Sequence, residues 1–215
     1  MEIKKKSIPN YSLGEELFNS ISHGIGAALS IAALVLMTVK ANGALKITCV
    51  TIFGSTMILL YLISCIYHAL SKNIKGKKVF RVLDHDSVYL LVFGTYIPVA
   101  LIGVGNVLGW ILFSIVALST TLGIIFTSIN IEKYQILSVI LHLINGWSIL
   151  IGIQNLIETM TITGIIYLAL GGIMYSIGAI LYRIGAHIKY IHSIFHIFCL
   201  LGTFFHFISI YFHLI

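Results

Sequence analysis

Residues 191–214 read IHSIFHIFCLLGTFFHFISIYFHL, a run with no Asp, Glu, Lys or Arg. A helix needs about 20 predominantly apolar residues to cross a hydrocarbon core of about 30 Å, and this run is long enough to do so. It is not uniformly apolar. His192 and His196 stand four apart at its start, so one helical turn places both imidazoles on the same face, where they can hold one metal ion. Two histidines do not complete a site. Further ligands must come from neighbouring helices at the same depth.

The rest of the chain has the same character. Of its 215 residues, 59% are hydrophobic and 9% charged, and the mean hydropathy is +1.04. The class is therefore an all-α, multi-pass protein of the cell membrane. Apolar runs at 20–39, 47–70, 84–104, 107–129, 135–154 and 162–182 join 191–214 to give a bundle of seven transmembrane helices. The chain divides into an N-terminal segment, 1–19, and a seven-helix domain, 20–215. Asn10, Glu15, Glu16 and Asn19 interrupt the start, so no removable signal peptide is expected. The short connections make sequential helices antiparallel neighbours. Pro98 is expected to kink or open the third span, and Gly172 with Ser176 forms a small-residue pair suited to helix packing. Cys49, Cys65 and Cys199 lie inside apolar runs in no zinc-finger spacing and read as packing residues.

The formal net charge of +6 does not point to nucleic acid, because the basic residues sit between spans, where topology explains them. With the N-terminus in the cytoplasm, the inner side collects Lys4, Lys5, Lys6, Lys72, Lys75, Lys77, Lys78, Arg81, Lys133, Arg183 and Lys189. Only Lys40 and Lys46 of the 13 basic residues remain outside. That asymmetry sets a cytoplasmic N-terminus and an outer C-terminus. The Lys72 to Arg81 loop serves as a topology determinant and, on a second reading, as a site for anionic lipid headgroups.

Depth along each span then locates the polar residues, at about 1.5 Å per residue. His68 falls near the inner end of the second span, Asp84 at the inner start of the third, and His192 and His196 at the inner start of the seventh. Glu15, Glu16, Asn19, Ser22 and His23 fall at the start of the first. Three neutral imidazoles suit zinc and leave a fourth position for water or substrate. Asp84 is placed to accept a hydrogen bond from that water and to move its proton. Ser64, one turn before His68, lies on the same face. For each histidine taken alone, a hydrogen bond to a carbonyl or headgroup is the plainer reading; the shared depth favours a site, since ionisable groups within spans are costly without a partner. His85 and Asp86 read as interfacial, helix-start residues. His142 and Asn145 are expected to form interhelical hydrogen bonds or to line the cavity. His206 and His213 lie too far along the last span to share an ion with His192.

At this point the sequence resembles the hemolysin III family, within the progestin and adiponectin receptor superfamily and related to alkaline ceramidases. The matching pieces are Glu15-Glu16 with Asn19 and Ser22-His23-Gly24, Ser64 with His68, Arg81 to His85 through Gly94-Thr95-Tyr96 and Pro98, and His192 with His196 followed by His206-Phe207. The resemblance implies seven helices and an intramembrane zinc near the cytoplasmic face, held by His68, His192 and His196, with Asp84 on the zinc-bound water and Ser64 beside it. Ser22 stands where bacterial relatives often carry Thr. The chain has no long receptor-type N-terminal region, so hormone binding and receptor signalling do not carry over.

Two functions are expected to compete. In the first, the protein is a zinc-dependent hydrolase of a lipid-like amide or ester, with membrane lipids around it and a lipid-like substrate. In the second it is a non-enzymatic membrane-homeostasis or cytolytic protein with a structural zinc. A built-in pore finds little support in a chain with no row of polar side chains crossing the bilayer. A transporter lacks visible inverted repeats.

Overall fold

The computed structural model describes residues 9–185 and 188–215. Lys4, Lys5 and Lys6 lie outside the described residues. Seven of the described helices are long and apolar enough to cross a membrane: α1 (Leu13–Lys40), α2 (Ala44–Ala69), α3 (Gly76–Val104), α4 (Asn106–Ile129), α5 (Ile131–Thr159), α6 (Ile162–Ile184) and α7 (Ile191–His213). No strand occurs among the described residues. Sequential helices pack on one another and α1 returns to α7, which closes the bundle. Its outer surface is apolar, with Leu29, Val35, Leu118, Ile140, Ile166 and Phe204 exposed. That is the surface expected of helices bathed in lipid.

Two helices, α1 and α3, begin about two turns before their apolar runs do. The start of α1 is set by Ser12, whose hydroxyl accepts from the Glu15 N–H while the Glu15 carboxylate accepts from the Ser12 N–H at 2.8 Å. This reciprocal cap satisfies two N–H groups that a helix start leaves without partners. Hydropathy marks where lipid contact begins, and the cap marks where the helix begins. Glu16 and Asn19 are therefore helical and sit inside the bundle.

Likewise α3 begins at Gly76, so Asp84, His85 and Asp86 lie more than two turns into it. This corrects the helix-start reading of His85 and Asp86. His85 instead donates through Nδ1 to the Arg81 carbonyl at 2.8 Å and accepts through Nε2 from the Tyr182 hydroxyl at 2.7 Å, while Asp86 accepts from Ser128 at 2.8 Å.

Pro98 opens α3 as expected. From Val99 to Val104 the turns widen to a π-helix, closed by Gly105 N–H on the Ala100 carbonyl at 3.0 Å. The proline ring supplies no N–H to the turn before it, which frees backbone groups to re-pair at wider spacing. The widened turn lies against α4 at Gly109, where any Cβ would overlap the Ala100 carbonyl oxygen. Glycine is what allows that approach. In α5, a 3-10 stretch from Ser148 to Gly152 separates two α-helical parts.

Candidate metal centre

The connections Leu70–Lys75 and Gly185–Tyr190 put the end of α2 and the start of α7 at the same end of the bundle, which also carries Lys72, Lys78, Arg81 and Lys133. His68 is in the last turn of α2, and His192 and His196 are in the first turns of α7. Their rings converge, with His68 centroids 5.4 Å from His192 and 4.8 Å from His196. One ligand-capable atom from each lies within 4.8 Å of the others.

The three side chains are almost sealed, at 2%, 6% and 1% exposure. Burial at that level leaves water a poor partner, so imidazole nitrogens need protein or metal partners. The Nε2 of His68 has no hydrogen-bond partner. The Nε2 atoms of His192 and His196 face each other at 3.2 Å. Two imidazoles bound to one tetrahedral ion at about 2.0–2.1 Å bring their nitrogens to about 3.3 Å. The arrangement therefore fits three imidazole ligands converging on one divalent ion.

Residues around the three histidines fix their orientation. His68 Nδ1 lies 2.7 Å from Glu16 Oε2, so its N–H donates to that carboxylate and Nε2 is left to face the other histidines. The second oxygen of Glu16 accepts from Lys77 Nζ at 2.7 Å, and Lys77 also donates to the Leu70 carbonyl at 2.7 Å. Tyr11, just before α1, stacks on His192 at 4.7 Å between centroids. Burial raises the Tyr11 phenol well above its ordinary value, so it stays a neutral donor at physiological pH. Its backbone carbonyl accepts from Lys72, and the Lys72 ammonium also bonds the Asn10 side chain. Glu15 accepts from the Tyr190 N–H at 2.7 Å, which ties the start of α1 to the start of α7.

A cavity of about 220 Å³ begins beside the histidines and runs between α3, α5, α6 and α7. His192, His196, Ser64 and Asp84 all line it, while His68 stands behind them. The sequence thus brings five predicted residues to one place: three as a metal-capable cluster and two along the adjoining wall. Ser64 is 2% exposed. Most of the remaining lining is apolar, from Leu60 and Val88 to Ile165 and Leu168, so the space suits a hydrocarbon chain more than a polar solute.

Other predicted residues fall elsewhere. His142 lines the cavity but bonds within its own helix, to the Ser138 carbonyl at 2.6 Å, and stacks on Tyr89; Asn145 Nδ2 has no hydrogen-bond partner. His142 Nε2 and Asn145 Nδ2 are thus buried without the expected interhelical partners among the described residues, and a small-residue face of α6 lines the same cavity. That face holds Gly172 and Ser176, which receive Trp147: its Nε1 donates to Ser176 at 3.0 Å. The pair packs helices as expected and lines the cavity as well. His206 bonds the Leu168 carbonyl and His213 bonds Thr161, both away from the metal-capable cluster. Cys49, Cys65 and Cys199 are free thiols.

Sequence reasoning placed Glu16 at the right depth without giving it a role, and it read Lys77 as a loop charge and left Tyr11 unremarked. The one available signal was a carboxylate at a span start in a chain with so few charges.

Residues 11–207 match the family described as "Haemolysin-III related". The chain is 37% identical to "Hemolysin-3" of Bacillus cereus over 204 residues, covering 94% of this chain and 92% of that protein. It is 36% identical to a "Hemolysin-3 homolog" of Bacillus subtilis (strain 168) over 196 residues, covering 90% and 91%.

Proposed function

The chain belongs to the hemolysin III family, and on that footing we propose that it is a zinc-dependent intramembrane hydrolase of a lipid-like amide or ester. His68, His192 and His196 are the metal ligands, and Asp84 and Ser64 act on the substrate. The observation that carries the reading is the buried three-histidine cluster opening onto an apolar cavity whose wall holds a carboxylate and a hydroxyl.

The family and the seven apolar helices make it a multi-pass membrane protein. Basic residues crowd one end of the bundle and leave Lys40 and Lys46 at the other, which supports placing the metal centre at the cytoplasmic face. A lipid headgroup meets the bilayer surface at that depth, while its chain occupies the cavity.

His68, His192 and His196 would hold a zinc ion, which would supply Lewis-acid chemistry and make hydroxide available near neutral pH. The chain's own groups supply the rest. Asp84 takes the proton of the attacking water and returns it to the leaving nitrogen or oxygen, which needs one carboxylate in two protonation states. Ser64 donates a hydrogen bond from its hydroxyl to the substrate carbonyl oxygen and so stabilises the charge that gathers there. The apolar lining excludes bulk water, which strengthens both interactions.

Purified protein is expected to contain about one zinc per chain, measured by elemental analysis. Stripping the metal should abolish release of fatty acid from ceramide- or ester-type lipids in detergent micelles, and restoring zinc should return it. Metal-free protein with full hydrolytic activity would end this reading.

A second reading is favoured by the names of the relatives, a hemolysin and a hemolysin homolog. Here the protein permeabilises membranes and the metal only braces the fold. It expects dye release from liposomes to persist in a protein whose Asp84 is replaced by Asn, with no lipid product formed by the wild type. Detection of a cleaved lipid decides for catalysis.

A further inference from the structure

We infer that Glu16, clamped by Lys77, is a positioning residue of the metal centre: it holds the His68 ring so that Nε2 alone is offered to the ion. This rests on the metal reading above and adds two residues to it.

Three elements meet at this point, Glu16 from α1, His68 from α2 and Lys77 from α3. Each carboxylate oxygen has one partner, His68 Nδ1 and Lys77 Nζ, both at 2.7 Å. With both oxygens engaged, Glu16 is restrained from turning away from His68 to bind an ion itself. The Nδ1–H of His68 is spent on Glu16, which leaves its unpartnered Nε2 as the donor atom. Ligating histidines commonly give their second N–H to a carboxylate in this way, and loss of that partner weakens metal affinity by about 10- to 100-fold.

Lys77 is the less expected member. It is 1% exposed, and besides Glu16 it bonds the Leu70 carbonyl just past the end of α2 and lies 5.1 Å from the Tyr67 ring centroid. An ammonium sealed this far from water costs more than packing alone returns, and well-packed apolar residues often replace a buried ion pair without loss of stability. The pair is therefore better explained by what Glu16 does to His68 than by holding helices together.

The test measures zinc affinity by chelator competition on detergent-purified full-length protein, with the thermal midpoint of the metal-free form as the control for fold. Glu16→Gln keeps the shape and removes the charge. It is expected to weaken zinc binding by about 10- to 100-fold and to lower the metal-free midpoint as well, because the Lys77 ammonium loses its buried counter-charge. The double variant Glu16→Met with Lys77→Met removes the buried pair together; it should fold as well as the wild type and still bind zinc as weakly as Glu16→Gln. Cobalt-loaded protein provides a spectroscopic check, since a displaced His68 shifts the visible bands of the Glu16→Gln form and a merely structural role leaves them alone.

Wild-type zinc affinity and cobalt spectrum in Glu16→Gln, with only the midpoint lowered, would assign the pair to helix packing and overturn the inference while leaving the metal centre intact. A wild-type protein that binds no zinc overturns the metal reading itself and this inference with it.

Discussion

Replacing His196 by alanine is expected to empty the metal centre while the seven-helix bundle still assembles. His196 meets both other histidines of the cluster and a fourth: its Nε2 faces His192 Nε2 at 3.2 Å, its ring lies 4.8 Å from that of His68, and it stacks on His23 at 3.8 Å. Removing it leaves two imidazoles, too few for a closed zinc site. Zinc content should fall from about one per chain to less than about a tenth of that after dialysis against a mild chelator, because affinity built from three ligands does not survive on two. The fold should tolerate the change, because the apolar core is centred on Phe53, Met57, Leu91, Val99 and Ile210. The vacated ring costs stability on the order of 1–3 kcal/mol, a loss visible as a lower thermal midpoint but not as failure to insert. His192→Ala should behave alike. Replacement of His206, which also lines the cavity but bonds the Leu168 carbonyl, should leave zinc untouched. Loss of zinc in the His206 variant together with its retention in the His196 variant would move the site to the other end of the cavity.

The spans and the meeting of the three histidines were legible in the sequence for one reason: the bilayer imposes a length on apolar runs, and that length turns residue number into depth. His68 ends one run while His192 and His196 begin another, so an antiparallel bundle has to bring them level. Helix starts were not legible from hydropathy, since Ser12 with Glu15 and the polar turns from Gly76 build helix outside any apolar run. The same blind spot hid Lys77. In sequence it is one of several lysines in a basic loop, and only the early start of α3 turns it inward to 1% exposure. Glu15 and Glu16 are adjacent in sequence and diverge by about 100° around α1. One reaches the Tyr190 N–H and the other His68, a division of labour that depends on where α1 lies against α2 and α7. His142 shows the converse, a polar residue at mid-span whose hydrogen bond is satisfied one turn back along its own helix.

On the proposed hydrolase reading, substituting Asp84 by asparagine should separate binding from chemistry. The side chain keeps its volume and can still accept a hydrogen bond through its carbonyl oxygen, but it can no longer take a proton from water. Asp84 is not one of the three metal-capable residues, and it lines the cavity with Ser64, His192 and His196. Zinc content is therefore expected to stay at the wild-type level. Turnover of a lipid amide or ester should fall by about 10²- to 10⁴-fold, the range that a positioned general acid–base contributes. The loss should appear in kcat, with KM little changed, because the apolar cavity that binds the chain is untouched. Ser64→Ala should cost less, because removing one neutral donor to the developing oxyanion leaves the Lewis acid and the proton shuttle in place. Two results speak against this assignment. Full turnover in Asp84→Asn would take the carboxylate out of the reaction, and loss of zinc in the same variant would make it a ligand. A parallel drop in KM would mean instead that the carboxylate strains the bound substrate, since relief of that strain tightens ground-state binding while it slows the chemical step.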